Sequence, residues 1–260
     1  MELAELARRV LESEDLAEKL RPAGRDLTDL DPGPAVRHEA PGRPENLRIR
    51  PAREVKVPAV AGFGDPAQRV RLLHALANHE LQAAELFAWA LLAFPEAPPE
   101  FRRGLAKILD DEQRHTRMYA ARVEAHGAQL GDFPVSGYFW GKVPTIHTPL
   151  QFIAAMSLTF ENANLDHTAE NAEAARRAGD EKTARVIEQV AADEVEHVAF
   201  GWRWLQVWKQ PGESSWDAWR RSLTWPLRPV KAKGSRFERQ GREAAGLDAD
   251  FIARLEASDS

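Results

Sequence analysis

Residues 111–115 read Asp-Glu-Gln-Arg-His, and residues 193–197 read Asp-Glu-Val-Glu-His. They contain the only two Glu-x-x-His motifs in the 260-residue sequence. Side chains at positions i and i+3 lie on the same face of an α-helix, about 4.5 Å apart along its axis. A carboxylate and an imidazole placed in this way can reach one metal ion together. Each motif therefore predicts one half of a metal site on a helix.

Each motif has a second glutamate at a matching distance upstream. Glu80 precedes Glu112 by 32 residues, and Glu161 precedes Glu194 by 33 residues. In an antiparallel hairpin of helices about 30 residues long, this separation returns the chain to the same level. The pattern is that of di-iron and di-manganese carboxylate bundles. It predicts two metal ions held in one layer by Glu80, Glu112, His115, Glu161, Glu194 and His197.

The charges of this residue set agree with two divalent ions. Four carboxylates carry a charge of −4, which two divalent cations would neutralise. Without cations, four carboxylates buried together would be prohibitive unless they were protonated. A single Glu-x-x-His motif is typical of an exposed helix surface. Two copies, each with a matching upstream glutamate, favour the metal site.

Four long helices are predicted around these residues, over residues 65–94, 98–127, 148–179 and 180–210. Their starts carry local signals, such as Asp65 followed by Pro66 and Thr148 followed by Pro149. The first and second helices, and the third and fourth, are joined by short connections that form antiparallel hairpins. The connection over residues 128–147 is long enough to cross the bundle. We therefore expect an all-α, ferritin-like four-helix bundle, two antiparallel hairpins joined by a long crossover.

Three parts of the chain follow from this assignment. Residues 1–64 are expected to form an N-terminal helix over residues 2–20 and an extended arm. The arm either lies over the body or is partly mobile. Residues 65–210 form the bundle. Residues 211–260 are expected to form a helical extension packed on the bundle, with short helices at 213–223 and 247–257.

The composition excludes several classes of site. The sequence contains no cysteine, so it has no disulfide, no thiolate nucleophile and no Cys-bound metal. Any redox reaction then needs an external electron donor. No apolar run approaches the roughly 20 residues that span a bilayer, and the N-terminus does not resemble a secretory signal. We expect a cytoplasmic protein without a membrane partner.

Other residues near the motifs have two interpretations each. Asp111 and Asp193 are expected to accept the free imidazole N–H of a ligand histidine and fix its tautomer, rather than only to face solvent. Tyr119 lies one turn beyond His115, where a phenol would serve as a hydrogen-bond donor or redox group; plain core packing is the favoured alternative. The equivalent position on the last helix is Gly201, whose small size would leave room for a substrate. Asn164 follows Glu161 by three residues and is expected near the site.

The region over residues 202–242 is rich in tryptophan and arginine. Aromatic side chains stack bases and cations bind phosphates, so one interpretation is a nucleic-acid surface. The other is that the tryptophans anchor the C-terminal helices and the arginines are solvated around them. We favour the second. The net charge of −5 gives no general argument for nucleic acid.

Several segments resemble the ferritin-like superfamily and, within it, the uncharacterised DUF455 family. The resemblance extends from about residue 65 to the end of the fourth helix, and the segments that carry it are Glu85-Leu-Phe-Ala-Trp-Ala-Leu, Asp111-Glu-Gln-Arg-His, Gly137-Tyr-Phe-Trp, Ser157-Leu-Thr-Phe-Glu-Asn-Ala-Asn-Leu-Asp-His and Asp193-Glu-Val-Glu-His. It implies a di-iron or related bimetal site. It does not imply a substrate, because one fold serves many functions.

We favour an oxidoreductase that uses two metal ions and O₂ or peroxide to oxidise or hydroxylate a small organic molecule. Iron is the favoured metal, and manganese or a mixed Mn/Fe pair suits the same ligands. One alternative is a non-catalytic metal-binding or iron-handling protein. Another is an enzyme similar to the tRNA hydroxylases. The sequence does not distinguish oligomeric states, of which a homodimer is one.

Overall fold

The computed structural model describes residues 1–24 and 26–259, so Arg25, in the predicted arm, and Ser260 lie outside the described residues. The described chain is mostly helical, which confirms the all-α prediction. Its strands are β1 (Ile49–Arg50) and β2 (Val135–Ser136), which pair in parallel with Ile49 opposite Val135. Its α-helices are α1 (Leu3–Glu12), α2 (Leu16–Lys19), α3 (Pro66–Ala93), α4 (Pro99–Ala125), α5 (Pro149–Ala155), α6 (Asn162–Arg177), α7 (Glu181–Trp208), α8 (Ser215–Ser222), α9 (Arg239–Ala244) and α10 (Ala249–Glu256).

The chain divides into two compact units, residues 1–144 and residues 145–260. The first unit contains the α3–α4 hairpin, and the second contains the α5–α6 segment paired with α7. Each unit therefore includes one predicted hairpin and one terminal extension. The division into residues 1–64, 65–210 and 211–260 stays a prediction.

The α3–α4 hairpin follows the predicted boundaries. Asp65 caps α3 by accepting a hydrogen bond of 2.9 Å from the backbone N–H of Gln68, and Pro66 occupies the first helical position. The helix α3 is buried on most of its surface, as expected for a helix that is apolar on most sides. The core of this unit includes Leu73 and Leu109, both fully buried.

The N-terminal segment departs from the predicted single helix over residues 2–20. The helix ends at Glu12, and α2 begins after Asp15, whose carboxylate accepts a 2.8 Å hydrogen bond from Ala17 N–H. This cap favours a new helix start over continuation of α1. The arm that follows lies over the helices of this unit, which is the first of the two arrangements predicted for it. Arg102 on α4, for example, binds Asp29 of the arm at 2.9 Å.

The predicted continuous helix over residues 148–179 is wrong in one respect. The α-helix is interrupted by a π-helix at Met156–Glu161, between α5 and α6. Within it, Thr159 Oγ1 donates a hydrogen bond of 2.7 Å to the carbonyl of Ala154, five residues earlier. Such π-segments are rare and occur frequently at functional sites. This one ends at Glu161, one of the predicted ligands.

The C-terminal extension packs within the second unit. Arg242 on α9 is fully buried and binds Asp166 on α6 through two contacts of 2.7 and 2.9 Å. The sequence predicted the helices near α8 and α10 but missed the six-residue α9. Among the described residues, no helix combines the length and apolar character needed to cross a membrane.

Candidate metal centre

The first unit brings three predicted ligands together. Glu80 lies on α3, and Glu112 and His115 lie one turn apart on α4. His115 Nδ1 is 3.4 Å from Glu80 Oε2 and 3.5 Å from Glu112 Oε2. The three side chains are at most 4% exposed as residues, although two are carboxylic acids. We call Glu80, Glu112 and His115 the first trio.

The second unit repeats this arrangement. Glu161 ends the π-helix, and Glu194 and His197 lie one turn apart on α7. His197 Nδ1 is 3.6 Å from Glu194 Oε2 and 3.9 Å from Glu161 Oε1. All three residues are buried. We call Glu161, Glu194 and His197 the second trio.

The geometry of each trio suits a metal ion. Within each, one oxygen from each glutamate and one imidazole nitrogen lie within 4.8 Å of one another. Carboxylate and imidazole ligands bind metals at about 2.0–2.2 Å, so ligands on opposite sides of an ion are about 4–4.4 Å apart. Both trios therefore have the donor atoms and the separation to hold metal ions, and these donors suit iron and manganese among others.

Asn164 contacts the second trio. Its side-chain Nδ2 donates a hydrogen bond of 2.7 Å to Oε1 of Glu194. The i+3 spacing from Glu161 had indicated that Asn164 lies near the site, but the spacing did not reveal which ligand it contacts. A hydrogen bond from a neutral amide fixes the orientation of a ligand carboxylate.

The π-helix meets α7 at Gly201. A Cβ atom at Gly201 would lie 2.3 Å from Ser157 Cβ and 3.4 Å from Leu158 Cγ. Glycine is therefore required for the π-helix to approach α7 this closely. The expectation that Gly201 leaves room for a substrate is wrong, because Ser157 and Leu158 occupy that space.

The remaining predicted site residues keep their proposed roles as predictions. Tyr119 is buried on α4, 1% exposed. Asp111 binds Arg114 Nη2 at 2.6 Å, one turn along the same helix. Asp193 accepts hydrogen bonds of 3.3 and 3.4 Å from Gln189 Nε2.

The tryptophans of the second unit pack mainly inward. The rings of Trp202, Trp216 and Trp219 surround Phe251 of α10 at centroid distances of 5.1, 5.5 and 5.0 Å. Trp219 also donates a 3.2 Å hydrogen bond to the carbonyl of Ala154. This packing agrees with the favoured interpretation that tryptophans anchor the C-terminal helices. Trp225 differs, being 71% exposed.

Comparison with known proteins gives one family. The family described as "Protein of unknown function (DUF455)" matches residues 3–253, nearly the whole chain. No curated protein and no solved structure gives a match.

Proposed function

We propose that this chain, which belongs to the DUF455 family, is a di-metal carboxylate oxidoreductase, with iron as the favoured metal. The observation that carries the proposal is the repetition of one ligand set. Each unit contains a buried trio of two glutamates and one histidine whose ligand atoms lie within 4.8 Å. Buried carboxylates are rare unless they are paired or bind metals. Two such trios in one chain favour a metal pair over a chance grouping.

The proposed architecture is a ferritin-like four-helix bundle over residues 65–210. Its two antiparallel hairpins would be α3–α4 and the hairpin that consists of α5, the π-helix, α6 and α7. The connection over residues 128–147 would serve as the crossover. Support comes from the matching spacings in the two hairpins, which carry Glu80 before Glu112 and Glu161 before Glu194.

The charge balance supports two divalent ions. With neutral histidines, each trio carries a charge of −2 from its two carboxylates. One divalent ion for each trio neutralises this charge. A neutral cluster avoids the large cost of burying uncompensated charge.

The ions would supply the activation of O₂ or peroxide, and the chain would control it. The glutamates and histidines hold the ions, and Asn164 orients Glu194. Fully buried apolar side chains close to the ligands in sequence, including Leu81 and Leu109, exclude water. The substrate would be a small organic molecule. Core packing stays the favoured role of Tyr119, and a hydrogen bond from its hydroxyl to the substrate is the alternative. Because the sequence has no cysteine, no thiolate-bound redox centre lies within it, and electrons come from an external donor.

The reaction with O₂ or peroxide tests this proposal. Full-length protein would be loaded anaerobically with Fe(II) and mixed with either oxidant while oxidant consumption and the visible absorption are recorded. We expect rapid consumption by the parent protein and by Glu124→Ala, which removes an exposed carboxylate of the same helix as Glu112. We expect slow consumption by Glu112→Ala and His197→Ala. If the protein binds two ions but reacts with neither oxidant, it is a metal-binding or iron-handling protein, and the enzyme proposal fails.

A further inference from the structure

A second concave site lies within the first unit. It is a cavity of about 140 Å³ between residues 54–57 of the arm, the N-terminal half of α3 and residues 133–136. It shares no residue with either trio. A cavity of about 150 Å³ is large enough for benzene, so this one suits a molecule of about six non-hydrogen atoms.

The walls of the cavity combine apolar side chains with polar and charged ones, and the apolar part is a little over half of the lining. The apolar lining residues include Val55, Ala75, Phe133 and Val135. The guanidinium of Arg71 lies 4.9 Å from the centroid of the Phe133 ring. Stacking on the ring fixes the guanidinium plane and leaves its N–H groups at the edge, where they can bind an oxyanion through two parallel hydrogen bonds.

Two cations and one carboxylate line the cavity. The cations are Lys56 and Arg71, and the carboxylate is that of Glu54. Glu54 pairs with Arg53, at 3.9 Å, and not with either cation of the cavity. Over residues 1–24 and 26–259, no carboxylate lies within 4.0 Å of either Lys56 Nζ or the Arg71 guanidinium. The cavity therefore has a net positive lining.

His74 adds a buried donor to this lining. It is 2% exposed, and its Nε2 accepts a 2.9 Å hydrogen bond from the backbone N–H of Gly131. Burial lowers the pKa of His74 to about 4, so the ring is neutral near pH 7. A neutral ring that accepts at Nε2 carries its proton on Nδ1. In the described part of the chain, this Nδ1–H donates to no acceptor.

We propose that this cavity binds a small monocarboxylate with a short apolar stem. The carboxylate would contact Arg71, Lys56 and the His74 N–H, and the stem would pack against Val55 and Val135. Inorganic phosphate fits less well, because it has no apolar part to bury against these walls. The inference is independent of the metal centre.

Titration of isotope-labelled full-length protein with isobutyrate, followed by NMR, tests the site. Isobutyrate has six non-hydrogen atoms, and isobutyramide is a neutral molecule of the same shape. We expect saturable shifts of the amide signals of Gly131 and Ser136 with isobutyrate, and a much weaker response to isobutyramide and to phosphate. Equal binding of the amide or of phosphate would overturn the assignment, as would no saturable shift up to about 50 mM.

Single substitutions test which residues bind isobutyrate. Arg71→Met and Lys56→Met keep an apolar stem and are each expected to weaken binding about tenfold or more, as when a charge-assisted hydrogen bond is lost. Arg185→Met, at an exposed position on α7, is the matched control and should bind as the parent does. Glu112→Ala should also bind isobutyrate as the parent does. If isobutyrate bound at the metal centre instead, this variant would bind it more weakly. An unchanged affinity for isobutyrate in both Arg71→Met and Lys56→Met would overturn the proposal. Circular dichroism would confirm that both variants fold.

Discussion

Asn164 on α6 donates a hydrogen bond of 2.7 Å to Oε1 of Glu194 on α7. The other oxygen, Oε2, is 3.6 Å from His197 Nδ1. The amide thus holds the Glu194 carboxylate in one orientation, with one oxygen fixed and the other beside the histidine. In the proposed centre, Asn164 is a positioning residue for the second trio.

Replacing Asn164 by leucine tests this role. Leucine has a similar volume and cannot donate a hydrogen bond. Loss of a residue that orients a metal ligand typically costs 10- to 100-fold in metal affinity. We expect a loss of this size for one of two bound ions, measured by competition with a chelator. Equal affinity of both ions in the variant and the parent would contradict the role of Asn164.

Gly201→Ala tests whether the π-helix positions Glu161. The new Cβ would lie 2.3 Å from Ser157 Cβ, so the π-helix or α7 must shift. Overpacking of this kind typically costs about 1–3 kcal/mol. We expect a lower free energy of unfolding in urea and weaker binding of one metal ion.

Two further variants complete this test. Ser157→Gly combined with Gly201→Ala removes the clash and should recover much of the lost stability. Gly141→Ala is a control, because no atom lies within 4 Å of its new Cβ. A Gly201→Ala protein as stable as the parent would show that the close approach is not needed.

Glu85→Gln probes a buried charge cluster on α3. Glu85 is fully buried and contacts Arg43 at 2.7 Å, Lys19 at 3.2 Å and Trp140 Nε1 at 2.9 Å. Glutamine would leave two buried cations without their carboxylate. Breaking a buried ion pair in this way costs about 3–5 kcal/mol. We expect this loss in the free energy of unfolding, with metal content unchanged.

A surface carboxylate provides the comparison. Glu173 is half exposed and pairs with Arg236 at 3.1 Å. Exposed ion pairs contribute about 0–1 kcal/mol, so Glu173→Gln should be nearly neutral. If Glu85→Gln lost metal instead of stability, Glu85 would belong to the metal centre, and its assigned role would be wrong.

His74 should make stability depend on pH. Its pKa is about 6.5 in the unfolded chain, and burial lowers it to about 4 in the fold. Between these values the unfolded chain binds more protons, so acidification favours unfolding. The resulting loss of unfolding free energy is absent above pH 6.5 and reaches on the order of 3 kcal/mol below pH 4.

His74→Gln isolates this contribution. Glutamine can accept the hydrogen bond from Gly131 N–H but does not titrate. We expect the difference in unfolding free energy between pH 7.5 and pH 4.5 to be smaller in the variant than in the parent. Parallel stability curves for the two proteins would contradict a lowered His74 pKa.

The sequence predicted the helices whose ends carry local signals. Asp65 and Thr148 cap their helices by side-chain bonds to backbone N–H groups three residues later, and a proline follows each. These interactions are local, so sequence alone identifies them. The trios were also predictable, because helical spacing brings Glu112 beside His115 and hairpin spacing brings Glu80 near both.

The sequence did not predict features that depend on packing. The π-helix that ends at Glu161 is short, and over its few residues the apolar spacing does not differ from that of an α-helix. Within the π-helix, Ser157 packs against Gly201, which is distant in sequence. Likewise, the helical spacing of residues 2–20 did not indicate that Lys19 is buried against Glu85. Long-range contacts determine these positions.

The number of metal ions bound to each chain tests the account most directly. Protein purified from its own host would be analysed for elements, beside Glu112→Ala, His197→Ala and the control Glu124→Ala. We predict two ions per chain, with iron favoured, in the parent and in Glu124→Ala, and a loss of metal in the other two variants. A parent protein without bound transition metal, or two ions retained in Glu112→Ala and His197→Ala, would contradict the proposed centre.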